Sequence, residues 1–374
     1  MNEPSNPGRA DDQSARPSPF ERYQVARGAR FGAIGGWRVP LSYESGIAGR
    51  RSARESAALL DLTPTGRIKV TGKYRVSLLQ RISTNDLRPL EAGRFVPTLF
   101  VTPKGRIVDR ALVLDRGESL FLITSPAGRE RLTAWIKRYV LSDDCRMTDV
   151  SSETAAFAVL GPSSRELVKT IAGVGVGGLE KSRFLDLPAG GVDTSIVPYD
   201  LLPSAWMFVA ERPGIADVYA RALQSGAGGE TACIGLEDAE VLRIEAGIPA
   251  DGHELTEEWN PWEARLENSF SLTKGCYTGQ EVIARLNTYE KVQRHLVGVK
   301  MGASAPPAPP QTLYGSGEKG EQREIGTLTS AAISDSLGET IGLGYVRQAF
   351  EPAGTEIAVG KDRLPASVCA LPFV

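Results

Sequence analysis

Along most of this chain, apolar positions recur at spacings that alternate between helical and strand-like, and only the first stretch lacks both. Residues 1 to about 18 are rich in Pro, Ser, Asn, Asp and Arg, with no apolar period to bury and so nothing to repay the entropy of ordering. They read as a solvated tail. From Ala29 onward, Phe31, Ile34, Trp37, Val39, Leu41 and Tyr43 interleave with Gly32, Gly35 and Gly36. This is either a tight aromatic-bearing loop feeding the first folded element or a plain hydrophobic anchor of the amino terminus.

Helix and strand then alternate. The spacing predicts a helix over Arg50 to Leu60 with Ala53, Ala57, Leu59 and Leu60 turned inward, a strand over Arg67 to Val70, and a helix over Tyr74 to Ile82. Three strand-like runs follow, Phe95 to Val101, Ile107 to Leu114 and Ser119 to Thr124. Pro103-Lys104-Gly105 and Asp115-Arg116-Gly117 separate them, which is hairpin punctuation for an antiparallel sheet. Arg129 to Val140 and Ser164 to Ile171 read as helices, Val192 to Pro198 and Trp206 to Ala210 as paired strands, and Ile215 to Gln224 and Cys233 to Ala246 as further helices. The run GVGVGG at 173–178 follows a helix where the dinucleotide fingerprint requires a strand, so it reads as a connection.

Near Val292 the texture changes to short β-type runs broken by Gly and Pro: Leu296 to Met301, Glu324 to Leu328, Thr340 to Val346 and Glu356 to Val359. This predicts an all-β barrel or sandwich, with the Pro-rich stretch Ala303 to Pro310 as a stiff loop inside it. The resulting scheme is a tail over 1–24, an α+β module of two subdomains over 25–290, and a β-barrel domain over 291–374.

Composition narrows the classes. At 374 residues and 41% hydrophobic the chain has material for two or three domains, and 43 basic against 45 acidic residues leave no global field for nucleic acid or an anionic membrane. Four scattered cysteines without CxxC spacing, and two histidines, disfavour a structural zinc site. The absence of a long apolar stretch disfavours secretion and membrane spanning, and points to a reducing, cytoplasmic setting.

Candidate chemistry concentrates in Lys274-Gly275-Cys276-Tyr277-Thr278-Gly279-Gln280-Glu281. Glycines flank Cys276 and an apolar run begins at Val282, so the thiol is expected on a constrained turn just before a helix. There the backbone dipoles and the charge of Lys274 would favour the thiolate, although a small buried cysteine is the plainer reading. Tyr277, Gln280 and Glu281 add polar groups, or simply cap the helix. From Lys274 to Lys300 five basic residues stand against two acidic ones, a patch suited to an anionic ligand tail, to RNA or to ordinary solvation. Asp109 interrupts an apolar strand, so it is either paired with Arg110 or another base, or set to hold a cationic or NH-bearing ligand. Arg243 poses the same choice, between an ion pair with Glu240 or Glu245 and a ligand contact.

The segment from Lys274 to Glu281 resembles the KGCYxGQE signature of the YgfZ-type folate-binding proteins, and Arg243 to Pro249, Asn260-Pro261 and Glu263 resemble the rest of that family's central block. Phe31 to Tyr43, Ala58 to Leu62 and Lys104 to Asp109 resemble the glycine cleavage T-protein, or aminomethyltransferase, superfamily that contains it. Gly326 to Ser330, Ile341 to Arg347 and Pro352 to Thr355 resemble that superfamily's carboxy-terminal β domain. The resemblance implies an α+β fold, a ring of two interwoven subdomains around a central tetrahydrofolate site, plus the barrel. It implies Asp109 and Cys276 as the working residues, with Asp109, Arg243, Lys274, Tyr277, Gln280 and Glu281 toward tetrahydrofolate.

T-proteins usually carry Ser-His-Met where this chain has Thr63-Pro64-Thr65 and a Gly-Asp-Phe-type segment where it has Gly275-Cys276-Tyr277. A Thr-Gly-Glu-x-Gly segment of theirs is missing near Tyr199 to Ser204. These departures favour a folate-binding factor for iron–sulfur cluster assembly or repair, with iron–sulfur proteins or their assembly factors as partners. The alternative is a tetrahydrofolate-dependent aminomethyl- or methyltransferase.

Overall fold

The computed structural model describes residues 14–140, 144–176, 179, 182–226, 229–288, 292–317 and 321–374. Most of the tail, two glycines of the GVGVGG run, and Glu290 and Lys291 of the basic patch lie outside the described residues. The chain divides into two compact units, each assembled from three separated segments. One holds the residues up to Arg75, Leu90–Val96 and Leu112–Ala239; the other holds Val76–Pro89, Pro97–Ala111 and Glu240–Val374.

In the first unit, the reading of residues 1–24 as a tail is corrected from Ser14 on. Arg16–Pro17 pairs in parallel with Trp37–Arg38 on a strand Trp37–Tyr43, which itself forms an antiparallel hairpin with Ala29–Ile34. Gly35 and Gly36 take φ of 56° and 80°, the left-handed conformation that a two-residue hairpin turn demands, so the aromatic loop is a hairpin. Ser18 Oγ and Gln24 Nε2 donate to the buried Asp61 carboxylate at 2.6 and 2.8 Å, and Phe20 stacks on Tyr219 with ring centroids 4.4 Å apart. A few well-placed contacts thus order a stretch whose average composition is polar.

A six-stranded sheet forms the centre of this unit, in the order Leu185–Ala189, Val192–Pro198, Ala205–Glu211, Thr154–Leu160, Ala58–Asp61 and Ala232–Ile234. Neighbours are antiparallel except the last pair. The helices Ser164–Ala172 and Arg212–Gln224 supply Leu167, Val168, Ile171, Ile215, Val218 and Tyr219 to the same core as Phe157 and Phe208. Two helix boundaries are corrected here. The helix over Ile47–Glu55 ends before Ala57, and Ala58-Leu59-Leu60-Asp61 is a strand buried on both faces; an apolar run of that length has no period that separates strand from helix. Cys233 likewise lies on the strand Ala232–Ile234, and the helix expected from it begins at Leu236.

The second unit ends in a closed barrel. Its strands run in the order Arg294–Lys300, Glu339–Arg347, Gln322–Ser334, Gln311–Ser316, Glu356–Val359 and Leu364–Cys369, and every neighbouring pair is antiparallel. Closure removes the exposed edges a sandwich would leave. The Pro-rich stretch connects the first barrel strand to Gln311–Ser316. Val297, Val299, Leu313, Leu328, Val346 and Val368 fill one core, while Trp259, stacked on Tyr345 at 3.7 Å between centroids, anchors another with Leu99, Ile107, Ile244, Tyr277 and Ile283.

Candidate functional site

Lys274 organises the loop that carries the motif. Its Nζ donates to three backbone carbonyls, Gln80 O at 2.8 Å, Ser83 O at 2.7 Å and Asn85 O at 2.6 Å, at the carboxy-terminal end of the helix Arg75–Ile82. The last-turn carbonyl of Gln80 has no intrahelical amide to receive, and a cation there also meets the negative end of the helix dipole. The ammonium sits 4.9 Å from the centre of the Tyr277 ring, a cation–π contact. Burial draws the lysine's pKa down from its ordinary value to about 7, with Asp86 opposing and Arg88 assisting. Tyr277 is itself a core residue, and burial pushes its phenol up to about 12.

Backbone bonds complete the attachment. Thr278 N–H donates to Arg81 O at 3.0 Å and Ser271 N–H to Thr84 O at 2.9 Å. Gly279 has φ of +82°, and a Cβ there would stand 2.7 Å from Val101 Cγ2 and 2.8 Å from Thr102 O, so only glycine lets the loop lie this close to the Thr102–Arg106 turn. Between these fixed points Gly275 and Cys276 are exposed. The loop holds its thiol out.

The sequence expectation is corrected in two respects. The helix begins at Gln280, four residues beyond Cys276, and a helix dipole acts over about one turn. The Lys274 ammonium is bound to carbonyls, where it fixes the loop. Gln280 is half-buried, with Nε2 3.4 Å from Lys274 O, and Glu281 is exposed on the first turn of the helix Gln280–Thr288. Lys274, Tyr277 and Gln280 are therefore brought together as a framework under Cys276.

Arg243 is settled inside the unit. Nε and Nη2 donate to Glu240, Nη1 donates to Glu254 at 2.8 Å and to Ile248 O at 3.3 Å, and Nη2 also donates to Ser330 Oγ. All five N–H groups are engaged, and the partners are Glu240 and Glu254, not Glu245, which accepts from Ser334 and Ser336. Glu254 is fully buried; it further accepts from Ala250 N–H at 3.0 Å and Ser330 Oγ at 2.7 Å. Sequence reasoning missed Glu254, which stands in the polar run Asp251 to Glu258 with nothing to separate it from surface residues. Asp109 is fully buried on the strand Ile107–Asp115, and its Oδ1 accepts from Arg110 N–H at 2.9 Å. Among the described residues no group of three His, Cys, Asp or Glu is placed to hold a metal ion, and no helix is long and apolar enough to cross a membrane.

A mixed α+β body of several sheets with a closed six-stranded barrel at its carboxy terminus defines the architectural class. Residues 20–274 match the GCVT N-terminal domain and residues 294–374 the glycine cleavage T-protein C-terminal barrel domain. The chain belongs to the glycine cleavage T-protein family. It is 29% identical over 360 residues to the aminomethyltransferase of Moorella thermoacetica, covering 95% of this chain and 97% of that protein. With the aminomethyltransferase of Geobacillus kaustophilus the identity is 30% over 357 residues, 92% of this chain and 95% of the other. The crystal structure of glycine cleavage system aminomethyltransferase T from Bartonella henselae shares the fold, with a TM-score of 0.85 at 22% identity over 96% of this chain and 98% of that one.

Proposed function

We propose that this chain is a tetrahydrofolate-binding protein of YgfZ type that supports iron–sulfur cluster assembly or repair through Cys276. The observation that carries the reading is the exposed thiol on a loop that Lys274, Tyr277 and Gly279 fix in place. A structural cysteine would be buried, as Cys233 is. An exposed thiol on a fixed loop is accessible to a partner protein or to a metal in transit.

Tetrahydrofolate presents ring N–H groups, an aromatic body and a glutamate carboxylate tail. The carboxylate of Asp109 suits the N–H groups, and could hold a proton as a one-carbon unit moves. Arg243 is a poor fit for the carboxylate tail, since a new acceptor would displace one of five existing ones. Its part is to brace the Glu254 network, and the folate reading rests on Asp109 and on family membership. When bound, tetrahydrofolate supplies a one-carbon carrier.

The second reading, a tetrahydrofolate-dependent aminomethyl- or methyltransferase, is favoured by the buried Asp109 and by the activity named for the relatives. Two experiments separate the readings. In cells lacking this chain, Cys276→Ala should keep folate affinity and fail to restore iron–sulfur enzyme activity; full restoration removes the thiol from the mechanism. Incubation with an aminomethyl donor and tetrahydrofolate should give no one-carbon folate, whereas a product formed by the wild type and lost in Asp109→Asn establishes the transferase.

A further inference from the structure

A groove of about 370 Å³ lies on the second unit, and none of Lys274, Cys276, Tyr277 and Gln280 lines it. Its rim carries three cations from two elements. Lys104 comes from the Thr102–Arg106 turn, Arg106 from the end of that turn, and Arg285 from the helix Gln280–Thr288. Val282 and Leu286, on the same helix, form an apolar wall, and Glu263 is the single carboxylate. The turn is held against that helix by close packing, since a Cβ on Gly105, at φ +69°, would stand 3.1 Å from Val282 Cγ1.

The charges are unequally employed. Arg106 Nη1 donates to Glu258 O at 2.6 Å and approaches Glu263 Oε2 at 3.5 Å. Glu263 Oε2 also accepts from Asn260 N–H at 3.0 Å, and burial raises the acid's pKa above its ordinary value. Among the described residues, neither the Lys104 ammonium nor the Arg285 guanidinium makes a hydrogen bond or ion pair, although both line one concavity. Glu263 is engaged by Arg106, so the Lys104 and Arg285 charges on the same groove repel each other, and an anion between them removes that cost. Three cations against one carboxylate leave two positive charges. That is the charge a phosphate monoester neutralises near pH 7, where it carries about −1.5 to −2. Arginine presents paired N–H donors to such an oxyanion, and lysine a compact point charge. The volume, within the roughly 300–1,000 Å³ of small-molecule sites, leaves room for an organic body against Val282 and Leu286.

We propose that this groove binds a phosphate monoester of a small organic molecule, with Lys104, Arg106 and Arg285 on the phosphate and Val282 and Leu286 on the organic part. This goes beyond the folate and thiol readings and depends on neither. The test is isothermal titration of the full chain at pH 7.5 and moderate salt with inorganic phosphate, glycerol 3-phosphate, succinate, glycerol and a short RNA. Glycerol 3-phosphate should bind saturably and more tightly than inorganic phosphate, and glycerol should not bind. Arg285→Gln and Lys104→Gln should each weaken binding at least tenfold, whereas Lys69→Gln, which removes an exposed lysine of the other unit, should not. Both groove variants replace exposed side chains, and unchanged circular dichroism confirms the fold. No saturable binding, or equal binding by Arg285→Gln, overturns the proposal. Succinate binding as tightly as glycerol 3-phosphate overturns the phosphate assignment, and tighter binding of the RNA replaces the site with a nucleic-acid surface.

Discussion

Replacing Lys274 with Met keeps the length of the apolar stem and deletes the ammonium from its three carbonyls. The Ser83 oxygen is buried and loses its partner, at about 1–3 kcal/mol; the other two are closer to water and add less, so the neutral-pH penalty should be about 1–3 kcal/mol. The pH dependence is the sharper test. Burial holds the folded-state pKa near 7, against about 10.5 for a free lysine, so between these values the unfolded chain binds more protons than the folded one. Wild-type stability should therefore rise with pH across that window relative to Lys274→Met, and the two should run parallel below pH 6. After allowance for water reaching the loop, the gap should widen by about 1–2 kcal/mol between pH 6 and pH 9. Urea unfolding of both proteins at these pH values, followed by tryptophan fluorescence, measures it. A constant gap would refute the reasoning, because it would mean that three carbonyl oxygens hold the third proton against desolvation.

Arg243→Met leaves Glu254 fully buried without its cation and should destabilise the protein by about 3–5 kcal/mol, visible as a lowered thermal midpoint. A loss below 1 kcal/mol would show that the network carries no weight. On brief treatment of the native protein with a maleimide, mass spectrometry should place the first label on Cys276, the exposed thiol, with Cys233 labelled only on unfolding. Prior labelling of Cys233 would contradict the burial described.

Much of the architecture was legible in local pattern. The strand Gly66–Thr71, the hairpin Val192–Pro198 with Ala205–Glu211, and the barrel strands announce themselves through alternation and turn residues within a dozen positions. The misreadings fall where local pattern is silent. Ala58–Asp61 is buried on both faces and begins three residues after a helix ends, so nothing in the run marks the change. Arg16–Pro17 and Phe20 are ordered by partners far along the chain. The site divides in the same way. The signature containing Cys276 is contiguous and was found, but its exposure depends on Lys274 reaching carbonyls near residue 83. Likewise the destiny of Arg243 depends on Glu254 and on Ser330, 87 residues away. Long-range hydrogen bonds leave no local trace.

The grip of Lys274 on Ser83 spans 191 positions of chain. At a synthesis rate of roughly 5–20 residues per second, the receiving carbonyls leave the ribosome about 10–40 s before the lysine that will bind them. During that interval the end of the helix Arg75–Ile82 has no tether from the signature loop, and Cys276 does not yet exist. The thiol is thus mounted late, by one cation docking onto a helix end made long before. A nascent chain halted short of Lys274 presents the helix end without the loop, and a finished one presents both.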